Sequence, residues 1–111
     1  MAKGIFLTGT GTDIGKTYIA GLLVKTLAEA GKHPAYYKAA MSGNDRRPDG
    51  SLIPGDGAFV KTFSGIGQSL ESMCPYVYEH AWSPHLAARF EGPPIDLEVV
   101  RAGWRSVCER Y

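Results

Sequence analysis

The nine residues "GTGTDIGKT", residues 9–17, end in Gly15-Lys16-Thr17. Three chemistries are available in that triplet: close backbone approach at Gly15, a mobile cation on Lys16, and a hydroxyl for a hard metal ion on Thr17. The common phosphate-loop pattern places a glycine five positions before the Gly-Lys-Thr, and here that position is Thr10. The loop therefore carries two hydroxyls, Thr10 and Thr12, where other loops often carry different residues.

These groups work only if the chain aims them at one point. Residues 4–8, "GIFLT", form a short apolar run without helical period, which predicts a parallel strand covered on both faces. After the glycines, apolar residues at Ile19, Leu22, Leu23, Leu27 and Ala30 predict the buried face of a first helix over 16–30, stopped by Gly31. Residues 33–40, "HPAYYKAA", predict the next strand, with Pro34 excluding helix and the tyrosines favouring a pleated surface. Strand, helix and strand make a βαβ unit. Its glycine turn leaves backbone N–H groups unpaired at the helix N-terminus, where the natural occupant is an anion.

Residues 41–57 predict a long loop, residues 56–63 a second helix, and "CPYVYEHAW" a short strand. "SPHLAARFEG" predicts a helix capped by Ser83, with Pro84 in its first turn and Gly92 after its end. Residues 95–111 predict a last amphipathic helix through Val99, Val100, Trp104, Val107, Cys108 and Tyr111. In an alternating α/β pattern that helix should feed another strand, so the expectation is a fold cut short after its first βαβ unit and following helices.

Bulk properties narrow the class. At 111 residues the chain is expected to be a single domain. Twelve Lys and Arg against eleven Asp and Glu leave no field favouring nucleic acid or an anionic membrane, and no apolar run approaches a membrane span. The start "MAKGIFLTG" has too short an apolar core for a signal peptide, which points to a cytoplasmic location. Cys74 and Cys108 fit no metal-ligand spacing and are expected as buried reduced thiols.

The stretch "TGTGTDIGKT" resembles the variant phosphate loop of dethiobiotin synthetases, Gly-Thr-x-Thr-x-x-Gly-Lys-Thr. Looser forms of that loop occur in cobyric and cobyrinic acid amidases and in partition-type ATPases. "YYKAAMSG" is similar to the family's Tyr-Lys-Pro-x-x-Ser-Gly, "GDGAF" to its second magnesium-ligand block, and "SPHLAARFEGPPI" to its Ser-Pro-His-x-x-Ala and Glu-Gly-x-Pro-Ile. Ala39 stands where the family usually has proline and Gly11 where aspartate is frequent, and "HAW" at residues 80–82 departs from the usual approach to Ser-Pro-His. Family members are about twice this length, and their Val-Glu-Gly-x-Gly-Gly strand, with a further magnesium-binding glutamate, has no counterpart here.

The resemblance implies an α/β fold, a P-loop NTPase-type parallel sheet flanked by helices. It implies ATP as co-substrate, Mg²⁺ as cofactor, 7,8-diaminononanoate and CO₂ as substrates, and a homodimer. Gly11, Thr12, Asp13, Ile14, Gly15, Lys16 and Thr17 would hold the nucleotide, and Thr17 with Asp56 the metal. Lys38, Thr12 and Lys16 would carry catalysis, with Lys38 and Ser42 on the substrate. Other readings stay open: a non-catalytic fragment of such an enzyme, or a partition- or amidase-type ATPase switch. By residue type alone Lys38 could be a surface lysine and Asp56 a helix cap. His85 reads as a helix-start residue, and Tyr36, Tyr37, Trp82 and Trp104 as core or interface aromatics.

Overall fold

The structure is a computed structural model that describes residues 3–8, 15–80, 84–92 and 94–111, with the backbone only for His85. The element order is α1 (Gly15–Glu29), β1 (Ala40–Met41), α2 (Gly55–Ser64), α3 (Leu70–Met73), β2 (Tyr76–Val77), α4 (Pro84–Glu91) and α5 (Leu97–Arg110). Strands β1 and β2 are parallel, with Ala40 opposite Tyr76 and Met41 opposite Val77. A parallel pair needs a crossover, and α2 and α3 provide it. A parallel sheet flanked by helices is thus present in short form.

Helix α1 lies where the periodicity puts it and ends as expected. Gly31 has φ +80°, the Lys32 N–H reaches the Leu27 carbonyl at 3.0 Å, and the Gly31 N–H reaches Ala28 at 3.1 Å. That is a left-handed glycine stop satisfying the last carbonyls. Its buried face, however, differs from the expected one. Thr17, Ala20, Gly21 and Val24 are buried, whereas Ile19, Leu22 and Leu23 are exposed. The cause is α2, whose Phe59 and Phe63 rings stack at 5.5 Å and need a shallow surface to lie on. Gly21 offers it: a Cβ there would stand 3.1 Å from the Phe63 ring and 3.2 Å from Phe59. Small residues, not the leucines, set this contact.

The first expected strand is absent. Residues 4–8 have no strand pairing, and Phe6 is 90% exposed. A strand is defined by its neighbour, and nothing among the described residues pairs with this run. The second expected strand shrinks to Ala40–Met41, because β2 runs alongside only there. Upstream, the backbone is satisfied by a side chain instead. The Gln68 carboxamide accepts from the Tyr36 N–H at 2.8 Å and donates to the Tyr36 carbonyl at 2.9 Å, and it also donates to Ser72 Oγ at 3.0 Å. Gln68 is fully buried and serves Tyr36 as a strand neighbour would.

The other expectations fare better. The predicted second helix is α2, but its cap position is Pro54, so Asp56 lies one residue inside the helix rather than capping it. The short strand is β2, and α4 and α5 match their predicted spans, with Ser83 outside the described residues. Asp96 caps α5, accepting from the Glu98 N–H at 2.9 Å. Tyr37 donates to the Val100 carbonyl at 2.7 Å, and its ring meets Trp104 at 5.8 Å, tying α5 to the chain entering β1. Val107 is buried, while Val99 and Trp104 remain exposed. α3 was not foreseen, since four residues are too few to show a period.

Both cysteines are free, Cys74 buried and Cys108 half-buried. Burial pushes the Cys74 thiol up to about 11.

Replacing Gln68 by Leu should leave the Tyr36 N–H and carbonyl without partners and cost about 2 kcal/mol of stability. Denaturant unfolding followed by helix signal would measure it. A loss below about 0.5 kcal/mol would mean that water replaces the carboxamide.

Candidate functional site

The sheet carries the candidate residues on one short stretch of chain. The Lys38 N–H donates to the Met73 carbonyl at 2.8 Å, the Tyr78 N–H to Met41 at 2.7 Å and the Gly43 N–H to His80 at 3.0 Å. Lys38 precedes β1 by two residues and Ser42 follows it immediately. Within the strand expected over 33–40 Lys38 falls near the carboxyl end, but in the structure Ser42 takes that position. The reason is again that pairing with β2 begins only at Ala40.

Lys38 still reaches a partner. Its Nζ lies 2.5 Å from Asp56 Oδ2, with the lysine side chain 45% and the aspartate 33% exposed. Eighteen residues separate the two in sequence. Asp56 stands in the first turn of α2, where unpaired N–H groups favour a negative charge. Its carboxylate therefore has both a helix N-terminus behind it and a cation in front of it. An exposed ion pair of this kind contributes little to stability, about 0–1 kcal/mol.

Gly15 and Lys16 open α1, and Thr17 is buried in its first turn. Gly11, Thr12, Asp13 and Ile14 lie outside the described residues, as does Thr10. Ser42 is half-buried. The structure thus joins Lys38 to Asp56 directly and puts Ser42 at the exit of the strand that Lys38 enters. Among the described residues no cluster of three or more His, Cys, Asp or Glu could hold a metal. One carboxylate and one hydroxyl suit magnesium, which keeps most of its shell for water and phosphate oxygens.

Two residues that the motifs did not single out organise the loops here. Asn44 is buried, donates to the Tyr78 carbonyl at 2.8 Å and accepts from the Gly55 N–H at 2.9 Å. Glu91, at the end of α4, accepts from the N–H groups of Glu79 at 2.8 Å and His80 at 3.0 Å, and meets His80 Nδ1 at 2.7 Å. Burial pushes the Glu91 carboxyl up, but the two N–H groups and the His80 ring together pull harder, and it lies below its ordinary value. Glu91 belongs to the quoted Glu-Gly block, which was the available signal. Asn44 had none, since a lone Asn in a polar loop looks like any turn residue.

A family profile described as "AAA domain" matches residues 3–109. The chain belongs to this AAA-domain family. Its relatives include an "ATP-dependent dethiobiotin synthetase BioD" of Clostridium novyi (strain NT), 44% identical over 115 residues, covering 100% of this chain and 46% of the relative. A protein of the same name from Clostridium perfringens (strain 13 / Type A) is 43% identical over 111 residues, 100% of this chain and 48% of the relative. Another from Clostridium acetobutylicum is 48% identical over 99 residues, 89% of this chain and 41% of the relative. The chain spans about half the length of these curated relatives. The similarity runs along all or most of the chain, and the quoted motifs are contained in it.

The depressed Glu91 carboxyl has a pH consequence. A carboxyl whose pKa is lower in the folded protein than in the unfolded chain adds stability above the unfolded value. That stability is lost as pH falls through the folded value. Wild type should therefore exceed Glu91→Gln in stability near neutral pH, with the gap closing below about pH 4.5, the carboxyl's ordinary value. Thermal melts of both proteins across that range test this, and a gap independent of pH would assign the loss to packing.

Proposed function

We propose that the chain contributes the phosphate-binding and carbamate-binding half of a dethiobiotin synthase. The reaction is ATP- and magnesium-dependent ring closure of 7,8-diaminononanoate with CO₂, giving dethiobiotin, ADP and phosphate. The contact between Lys38 and Asp56 carries the reading. A lysine proposed for the substrate and a carboxylate proposed for the metal stand side by side, as a reaction between a carbamate and a γ-phosphate requires.

The roles follow from charge. One amine of the diamine takes CO₂ as a carbamate, a carbamate oxygen attacks the γ-phosphorus, and the second amine displaces phosphate from the mixed anhydride. Negative charge gathers at the transferred phosphoryl group, and fixed cations and donors aimed there lower the barrier. Lys16 and the backbone of residues 11–17 would hold the triphosphate from one side. Lys38 would orient the carbamate from the other, with Ser42 and Thr12 as hydroxyl donors. Magnesium, held by Thr17 and Asp56, would supply charge neutralisation at the phosphate oxygens. The relatives' shared name, the motif blocks and the position of Lys16 at the start of α1 support this assignment. A cytoplasmic location and a homodimer belong to the same reading.

The assay is mass-spectrometric detection of dethiobiotin from ATP, magnesium, bicarbonate and the diamine, with ADP release measured with and without the diamine. Diamine-dependent ADP release is expected. Release indifferent to the diamine would favour a nucleotide switch. Lys38→Ala should lower turnover about a hundredfold, the scale of losing one preorganised charge donor, while nucleotide affinity changes little. Turnover retained in that variant would remove Lys38 from the mechanism.

A further inference from the structure

We infer that Asn44 is a positioning residue that fixes the start of α2, and with it Asp56, against the strand exit that carries Ser42. The inference rests on the reading that Asp56 serves the metal and Ser42 the substrate. Helix α2 opens without a side-chain cap of its own, because its cap residue is Pro54. Its first N–H, that of Gly55, would be an orphan donor. Asn44 Oδ1, eleven residues away, accepts it at 2.9 Å.

The other end of the carboxamide is equally committed. Asn44 Nδ2 donates to the Tyr78 carbonyl at 2.8 Å, and the same carbonyl receives the Asn44 backbone N–H at 3.1 Å. Gly55 N–H can only donate and the Tyr78 carbonyl can only accept, so the orientation of the amide is forced. Asn44 is only 6% exposed, and with both ends held its side chain has no freedom to drift.

Residue size agrees with this. A Cβ at position 55 would stand 3.3 Å from Asn44 Oδ1, tighter than an ordinary contact, so the glycine lets the carboxamide approach. Aspartate at 44 could accept from Gly55 but could not donate to Tyr78. Alanine could do neither. Asp56 follows Gly55 directly, and Ser42 lies two residues before Asn44. One buried carboxamide therefore ties the backbone just before Asp56 to the segment that carries Ser42.

The experiment uses the 111-residue chain with Asn44→Ala and Asn44→Asp, reading ATP affinity by calorimetry with and without magnesium and amide hydrogen exchange by NMR. In Asn44→Ala, affinity for magnesium-ATP should fall about tenfold while that for metal-free ATP stays within about twofold. The Gly55 and Gly43 amides should exchange at least about tenfold faster, with α5 amides unchanged. Asn44→Asp, which keeps the acceptor, should retain Gly55 protection and guards against an alanine variant that fails to fold. Equal loss of both binding modes, or a Gly55 amide indifferent to alanine, overturns the inference, as does an Asp variant losing as much Gly55 protection as Ala. If wild type binds no nucleotide, the proposed function fails for this chain and the exchange measurements alone decide Asn44.

Discussion

The parallel alignment of residues 38–42 with residues 73–78 is the constraint on which the rest depends. Only Ala40 and Met41 pair as strand with Tyr76 and Val77, but the hydrogen bonds from Lys38 to Met73 and from Tyr78 to Met41 extend the alignment at both ends. Lys38 and Ser42 are indexed to it directly, and Asp56 through its contact with Lys38. Lys38 enters the ladder, Ser42 leaves it, and Asn44 hangs from Tyr78 just beyond. Because side chains alternate along a strand, slipping the register by one residue would turn the whole set to the opposite face. Buried Met41 and Met73 weigh against such a slip, since neither could be exposed without losing about 1.5–3 kcal/mol of burial.

Such a short ladder leaves backbone groups that a wider sheet would satisfy, and side chains take them up. Gln68 pairs both sides of Tyr36, Asn44 joins Tyr78 to Gly55, and Glu91 collects the N–H groups of Glu79 and His80. Gln68 and Asn44 are the kind of buried polar residue that a core tolerates only when fully paired. Their net contribution is modest, but their removal costs the desolvation of whatever they leave behind. They act less as glue than as constraints on which loop meets which.

The sequence shows its helices and hides its packing. Gly31 and Gly65 both take the left-handed conformation that ends a helix, and a glycine after a periodic run is readable without a structure. The face of α1 was not readable, because periodicity reports which side is apolar and not which neighbour arrives. Phe59 and Phe63 chose Ala20 and Gly21 over Leu22 and Leu23. Residues 4–8 look like a strand by composition, yet a strand needs a partner, and partners are not encoded in the run itself. At the site, Lys38 and Asp56 were legible as members of quoted motifs. Their direct contact was not, since 18 residues of loop and strand separate them.

That contact also bears on how the proposed site would load. Asp56 in this structure answers its charge with Lys38 alone among the ion pairs of the described residues. The pair is between a third and a half exposed, so it is screened and easily exchanged. A divalent ion at Asp56 would bring twice the charge of the ammonium and would compete well for the same carboxylate oxygen. The lysine so released keeps its backbone tied to Met73 and can swing only its side chain. Four methylenes then determine where the ammonium can go, and on the proposed reading that range includes the carbamate. The ion pair is exposed and individually weak, whereas Asn44 and Gln68 are buried and hydrogen-bonded at both ends of their carboxamides.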